Sequence, residues 1–255
     1  DSDGSVDDFI VRVKNREPGV KLAPAGMKLL EIDDGWEAAW GDWQAGPTFP
    51  SGMPAIASYI TGKGLVAGVW LAPFLVDVTS TPGMTADPSL FVQGPDGEPL
   101  VHKPSGSMKE YYVLDGTSDA SMALVTDAIG ALKAAGFSYF KLDFLYAGAL
   151  PGGRSALGVT ANQALAAGLA KLRAAAGKDA VLNACGAPIL PVLGWADSLR
   201  VGTDTAFAGV KLNWPAITYS ARSLAARAHL YPLVWPDADQ AQLRPPYTAE
   251  EASVA

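Results

Sequence analysis

The sequence predicts an α/β fold, and more narrowly a TIM (β/α)8-type barrel. Short runs rich in apolar, β-branched and aromatic residues alternate with stretches that have helical periodicity, which is the rhythm of βαβ units. Three of the predicted strands end in aspartate, where barrel enzymes carry their catalytic groups. The acids at these strand ends are Asp33 with Asp34, Asp143, and Asp204.

Each predicted element follows from a local pattern. A capping box at Ser5 and Asp8 begins a first helix, and helical stripes ended by Gly136 and Gly177 indicate two further helices. Pro215 is placed to begin another helix. Strands are predicted at about 28–32, 65–72, 137–142, 180–184, 198–203 and 229–235.

Six strands are two fewer than the eight of a closed barrel. The chain begins on a helix pattern, and a capping box at Thr248 and Glu251 announces another helix just before Ala255. We therefore expect the first and last strands to be lacking from this chain.

Length and composition predict one domain. With 255 residues and 49% hydrophobic content, 1–255 can form a single, partial catalytic barrel domain. The stretch at about 78–111 is dense in proline, glycine, serine and aspartate, so we expect a rim excursion over the barrel mouth.

Charge and composition exclude several classes of partner. A net charge of -7 without a basic cluster disfavours nucleic acid, and no apolar stretch is long enough for a membrane span. One cysteine cannot form an internal disulfide. The chain shows no leader, which favours the cytoplasm over export but leaves the compartment open.

Two strand-end acids can divide the work of cleaving a glycosidic bond. One carboxyl group meets the developing oxocarbenium ion and another protonates the leaving oxygen, roles that Asp143 and Asp204 can fill. Lys141 shares a strand face with Asp143, so its ammonium can keep that carboxylate ionised and bind a sugar hydroxyl. Arg200 can bind hydroxyls inside the barrel. Either acid alone is equally compatible with a helix-cap or loop role.

Aromatic residues near these acids point to sugar stacking. Trp36 and Trp70 are the best candidate platforms for the apolar face of a sugar, although large aromatics are equally often buried for their area alone. Asp33 and Asp34 face opposite ways by strand alternation, so one can bind a hydroxyl pair while the other supports it.

Other chemistries have less support. Cys185 lies at a strand end, but no thiol-enzyme signature surrounds it. Two distant histidines and no paired-cysteine spacing leave only carboxylates, which could at most hold Mg²⁺ or Ca²⁺. We therefore expect no metal and no cofactor.

Six motifs in order resemble the α-galactosidases of glycoside hydrolase family 36 over roughly residues 28–235. The motifs are Ile32-Asp33-Asp34-Gly35-Trp36, Gly41-Asp42-Trp43, Phe49-Pro50-Ser51-Gly52-Met53, Gly68-Val69-Trp70-Leu71-Ala72-Pro73, KLDFLYAGAL at 141–150 and RVGTD at 200–204.

The resemblance implies a retaining exo-glycosidase acting on terminal α-galactosides. Asp143 then corresponds to the nucleophile and Asp204 to the acid/base. The implied galactose-binding residues are Asp33, Asp34, Trp70, Lys141, Cys185 and Arg200, to which the stacking argument adds Trp36. Two alternatives stay open: a galactosyl transferase of raffinose-synthase type, and a non-catalytic sugar-binding barrel fragment.

The chain departs from the family pattern at two places. Trp235-Pro236-Asp237-Ala238-Asp239 stands where the family has Trp-x-Asp-Pro-Asp, which places a proline where the family pattern implies ladder pairing. Only Lys109 stands near the position of an expected sugar-binding arginine. The flanking β-domains of the family are also lacking, and family members often associate through such regions. The resemblance thus makes a homo-oligomer one candidate assembly of the full-length form, and the sequence does not fix the oligomeric state.

Overall fold

A computed structural model describes residues 28–104, 107–205 and 214–239. The helix predicted near Ser5 and the capping box at Thr248 and Glu251 lie outside these residues. No helix in the described ranges is long and apolar enough to cross a membrane.

Six parallel strands form the main sheet, which confirms the predicted α/β class. They lie side by side in chain order, as in a singly wound βα array, and every neighbouring pair is parallel. The strands are β1 (Leu29–Ile32), β4 (Val66–Leu71), β8 (Tyr139–Leu142), β9 (Val181–Ala184), β10 (Ser198–Arg200) and β11 (Trp235–Asp237). In the described residues β1 and β11 are the two edges, so a closed eight-stranded barrel is not seen there.

Helices connect these strands. They are α1 (Gly52–Gly62), α2 (Thr81–Thr85), α3 (Asp119–Ala135), α4 (Ala161–Ala176), α5 (Ile189–Val192) and α6 (Trp214–Ala226). The predicted helix ends hold: Gly136 ends α3 with a φ of 113°, and Gly177 follows the last residue of α4. A capping box between Thr160 and Gln163 begins α4.

The sixth predicted strand is misplaced. It was expected at 229–235, but Ala228–Leu230 is a 3-10 turn and the strand begins only at Trp235. The apolar residues Leu230, Leu233 and Val234 explain the error. Leu230 and Val234 are buried, but they lie in and after the 3-10 turn and not in a strand. A short apolar run does not by itself distinguish a strand from a turn.

Pro236 lies inside β11 without breaking the pairing. The Trp235 N–H donates to Asp197 O and the Val201 N–H donates to Asp237 O, both at 2.8 Å, so these ladder bonds use the neighbours of the proline. The nitrogen of Pro236 therefore faces away from β10, where no donor is needed.

The two faces of the sheet have opposite chemistry. The face toward the helices is apolar and almost completely buried, through Ile32, Val69, Leu71, Phe140, Leu142, Leu182 and Leu199. Strand alternation puts charged and polar residues on the other, concave face, namely Glu31, Tyr139, Lys141, Asn183, Arg200 and Asp237. A parallel sheet is usually apolar on both faces, so this polar face marks the functional side.

Two smaller sheets accompany the first. Strands β2 (Glu37–Ala39) and β3 (Asp42–Ala45) form a hairpin after β1. Strands β5 (Leu75–Asp77), β6 (Val101–His102) and β7 (Tyr111–Val113) form an antiparallel sheet in the order β5-β7-β6. The segment at 78–111 thus contains short elements of its own, and its role as a rim stays a prediction.

Candidate active site

Asp143 directly follows β8 and is held by two donors. The Trp70 indole N–H lies 3.1 Å from one carboxylate oxygen, and the backbone N–H of Phe144 lies 2.7 Å from the other. Phe144 has a φ of 52°, a left-handed conformation that is strained for a bulky residue. This sharp turn is what aims the Phe144 N–H back at the carboxylate.

Lys141 lies two residues before Asp143 on the same strand and pairs with acids from β1. Its Nζ is 2.6 Å from Asp33 Oδ2 and 3.7 Å from Glu31 Oε1. Although burial opposes the charged form, these carboxylates raise the pKa of Lys141 and keep it an ammonium. The pKa of Asp33 is lowered because the ammonium and the Asp34 N–H outweigh its partial burial.

Asp34 points away from Lys141 toward an aromatic cluster. Its Oδ1 accepts a 2.8 Å hydrogen bond from the indole N–H of Trp40, whose ring stacks on Tyr111 at a centroid distance of 4.5 Å. The predicted opposite facing of Asp33 and Asp34 is seen in these different partners. Lys109, the residue nearest the expected arginine, donates to Asp77 at 2.8 Å.

Burial also raises the pKa of Glu37 to about 8, although the Gly35 N–H opposes the shift. Glu37 begins the β2–β3 hairpin and has Asp34 as a neighbouring acid. It is therefore a proton-bearing carboxyl group beside the predicted sugar-binding acids.

Arg200 bridges two acids at the opposite side of the concave face. Its guanidinium lies 2.6 Å from Asp204 Oδ1 and 2.8 Å from Asp239 Oδ2. The Arg200 side chain is 5% exposed, Asp239 is 14% exposed and Asp204 is 53% exposed. Asp204 is thus the most exposed member of the trio and is accessible to a ligand. The strand ends at Arg200 rather than near Thr203, so Asp204 stands on the following loop.

Cys185 is a buried free thiol at the end of β9. Burial, together with the nearby Asp143 carboxylate, raises its pKa well above the usual range, so it is not a thiolate nucleophile. Its backbone N–H donates to Leu142 O at 2.8 Å, which ties β9 to the strand that carries Asp143.

The expectation that Trp36 and Trp70 stack on a sugar is wrong, because both rings are buried. Trp36 is 0% exposed and Trp70 is 1% exposed, so neither ring offers an open face to a sugar. The Trp36 indole N–H instead donates to the Trp70 backbone carbonyl at 2.8 Å. Trp70 meets the site through the edge that carries its N–H, and Trp36 fixes Trp70 from behind.

Sequence reasoning missed five polar residues that line the same face: Glu31, Tyr139, Asn183, Asp237 and Asp239. Asn183 Nδ2 donates to Tyr139 Oη at 2.6 Å and to Asp237 Oδ2 at 2.9 Å. The Asp239 N–H donates to Asp237 Oδ1 at 2.8 Å, which joins this network to the Arg200 trio. Period-two alternation back from predicted site residues could have found three of them, because Glu31 lies two residues before Asp33, Tyr139 four before Asp143, and Asn183 two before Cys185.

Three further features concern the site: metal binding, the contacts of the 78–111 segment and a cavity near Arg200. Among the residues that the structure covers, no cluster of three or more His, Cys, Asp or Glu could hold a metal ion. His102 Nε2 lies 3.1 Å from the hydroxyl of Tyr146, three residues after Asp143, and so connects the 78–111 segment to the site. A cavity of about 420 Å³ also reaches Arg200, bordered by Ile189, Tyr219 and Arg227.

Comparisons with known proteins find α-galactosidases among the similar sequences and structures. Alpha-galactosidase 1 of Pediococcus pentosaceus is 30% identical over 143 residues, which is 49% of this chain and 18% of that protein. A structure of the Thermus thermophilus α-galactosidase in complex with stachyose superposes with a TM-score of 0.75 at 35% identity and covers 89% of this chain. The chain is a relative of the α-galactosidases. No protein-family model matches it.

Two further relatives extend the picture. The A type blood α-D-galactosamine galactosaminidase of Flavonifractor plautii is 30% identical over 134 residues, 49% of this chain and 12% of that protein. The family 36 α-galactosidase AgaA of Geobacillus stearothermophilus shares the fold, with a TM-score of 0.61 at 19% identity over 91% of this chain and 33% of that one. The predicted resemblance to α-galactosidases is confirmed.

The chain spans a fraction of its relatives. It covers 12% to 19% of the curated relatives and 50% of the Thermus thermophilus chain.

Proposed function

We propose that this chain carries the catalytic site of a retaining exo-glycosidase that hydrolyses terminal α-galactosides on a (β/α)8-type barrel. The observation that carries the proposal is the held carboxylate of Asp143, with donors at 3.1 Å and 2.7 Å and the Lys141–Asp33 pair on the same strand face. The sequential parallel sheet with a polar concave face supports the barrel architecture.

Asp143 is proposed to attack the anomeric carbon. Its two hydrogen bonds prevent rotation, so the carboxylate meets the developing positive charge in one orientation. A glycosyl-enzyme ester would then form as the leaving oxygen departs with a proton.

Asp204 is proposed to supply that proton and afterwards to take one from water. The guanidinium of Arg200 has a second and more buried partner in Asp239, so its charge is neutralised without Asp204. Asp204 can therefore leave the ion pair, take up a proton and turn toward the glycosidic oxygen.

The galactose hydroxyls are proposed to bind between the two sides of the concave face. Lys141 offers ammonium donors, Asp33 and Asp34 offer carboxylate acceptors, and Arg200 offers its guanidinium. Cys185 lines the same subsite beside Asp143. Relatives act on α-galactosides or, for the Flavonifractor enzyme, on α-galactosamine, so the glycone is expected to have an axial 4-hydroxyl.

Turnover of p-nitrophenyl α-galactoside by the purified chain and its variants tests the proposal. Asp143→Ala should reduce kcat by at least about 1,000-fold, and azide should partly restore it as β-galactosyl azide. Asp204→Ala should lose less activity on this substrate than on melibiose, because nitrophenolate leaves without a proton. Asp127→Asn on the exposed side of α3 is the control, with circular dichroism to check folding.

The stereochemistry and the products separate the outcomes. Retention predicts that α-galactose appears first in the proton NMR spectrum, whereas β-galactose as first product contradicts a double displacement. Excess sucrose as acceptor would reveal a transferase through raffinose formation. A folded chain that binds galactose without turnover would make it a sugar-binding module.

A further inference from the structure

Glu31 occupies a position on the concave face that the neighbouring strand keeps open for it. It pairs in register with Gly68 of β4, which in turn pairs with Tyr139 of β8. A Cβ at residue 68 would lie 3.2 Å from the Glu31 Cα and 3.0 Å from a ring carbon of Tyr139. The glycine therefore leaves room for two polar side chains one layer below Lys141.

Glu31 and Asp33 share a single ammonium. Lys141 Nζ lies 2.6 Å from Asp33 and 3.7 Å from Glu31, and the two carboxyl groups are themselves in hydrogen-bond contact. Oε1 of Glu31 is buried and accepts no hydrogen bond. Two adjacent carboxyl groups with one cation retain a proton on one of them.

Of the two acids, Glu31 has the higher pKa because of its surroundings. Burial raises the pKa of Glu31 to about 7, helped by the negative charges of Asp33 and Asp237 and opposed by Lys141. Tyr139 faces it as a neutral phenol, since burial raises the pKa of that hydroxyl to about 12. Asp33 keeps its charge because the Lys141 and Asp34 donors point at it.

We propose that Glu31 is a positioning residue that sets the pH dependence of sugar binding. As a neutral acid it donates to Asp33 and leaves the Lys141 ammonium at the level of the sugar. After losing its proton to solvent it becomes a second anion, which draws the ammonium down toward itself and away from the substrate. The proposal rests on the proposed function, since it takes Lys141 and Asp33 as galactose-binding groups.

The pH dependence of KM for p-nitrophenyl α-galactoside tests the role of Glu31. In the unsubstituted protein KM should rise about tenfold between about pH 6 and about pH 8, with a much smaller change in kcat. Glu31→Gln remains neutral and can still donate to Asp33, so its KM should be flat over this range. Asp127→Asn, which removes a remote carboxylate, should keep the rise.

A second variant and a second measurement keep the test decisive. Glu31→Asp keeps an ionisable group one methylene shorter, so its KM should still rise with pH about a displaced midpoint, even if Glu31→Gln fails to fold. A flat KM in the unsubstituted protein, or an unaltered rise in Glu31→Gln, would overturn the proposal.

Carbon-13 NMR of glutamate-labelled protein separates this proposal from the proposed function. The Glu31 carboxyl signal, assigned by its loss in Glu31→Gln, should titrate near pH 7 whether or not the chain turns over substrate. Titration near the ordinary value for glutamate would overturn the inference alone, while normal titration without turnover would refute only the catalytic proposal.

Discussion

At the scale of single residues, the carboxylate of Asp143 is fixed from two sides by groups that cannot easily move. The Trp70 ring is almost completely buried and is held from behind by the Trp36 indole N–H at 2.8 Å. The other donor belongs to a strained backbone turn at Phe144. Donors that are already oriented need no rearrangement as charge changes at the carboxylate during reaction.

Trp70→Phe should therefore reduce kcat/KM by roughly 10–100-fold, since it removes a hydrogen bond to a charged group. Steady-state kinetics with p-nitrophenyl α-galactoside measure the effect. Trp36→Phe is the comparison variant, because it removes an indole N–H that acts on Asp143 only indirectly, through Trp70. It should lower Tm more clearly than it lowers kcat/KM. Unchanged kcat/KM in Trp70→Phe would show that the indole N–H does not assist the carboxylate.

At the scale of elements, α4 depends on a close approach that its sequence alone does not reveal. Gly168 lies in the middle of this helix, where a Cβ would stand 2.6 Å from the Phe74 ring and 3.2 Å from the Gly116 Cα. Gly130 also lies inside a helix, α3, but a Cβ there would meet no atom within 4 Å. Close packing therefore requires a glycine at residue 168 but not at residue 130.

Alanine substitution at these two positions should have opposite effects on stability. Gly168→Ala should lower the free energy of unfolding by about 1–3 kcal/mol, because overpacking against buried Phe74 outweighs the gain in helix propensity. Gly130→Ala should raise it by about 0.5–1 kcal/mol, because only the propensity term remains. Urea unfolding of both variants measures the difference, and stabilisation by Gly168→Ala would contradict the close packing.

At the scale of the whole molecule, one sheet separates stability from function. The apolar face buries the leucine, isoleucine, valine and phenylalanine side chains of the strands against the helices. The concave face collects charged and polar side chains from five strands, which are costly to bury but suited to a polar ligand. A sugar bound there would add hydrogen bonds to the folded state alone.

Galactose should therefore raise Tm, and glucose, which differs only at the 4-hydroxyl, should do so much less. At about 100 times Kd the ligand contributes about 2.7 kcal/mol, which corresponds to roughly 5–10 °C for a domain of this size. Differential scanning fluorimetry measures the shift. Asp33→Asn should reduce the galactose-induced rise in Tm, because a sugar hydroxyl loses its charged hydrogen-bond acceptor. Equal shifts for both sugars would contradict a galactose-specific site.

Much of the fold could be predicted because its signals are local. Gly136, Gly177 and Thr160 mark helix ends by backbone conformation and capping, which depend on neighbouring residues only. The sixth strand was misplaced because residues 229–235 combine apolar side chains with a proline, and only packing decides between turn and strand. The pairing of β11 with β10 begins six residues later than expected from this pattern.

The sequence by itself determined the α/β class, the acids at the strand ends and the resemblance to α-galactosidases, since these follow from order and spacing along the chain. Only the tertiary structure decided which groups meet. Lys141 reaches Asp33 across 108 positions, and Trp36 and Trp70 turn their rings into the core rather than toward a ligand. The physical reason is that burial and side-chain contacts arise from the packing of distant segments, so the raised pKa of Glu31 is a property of the folded sheet.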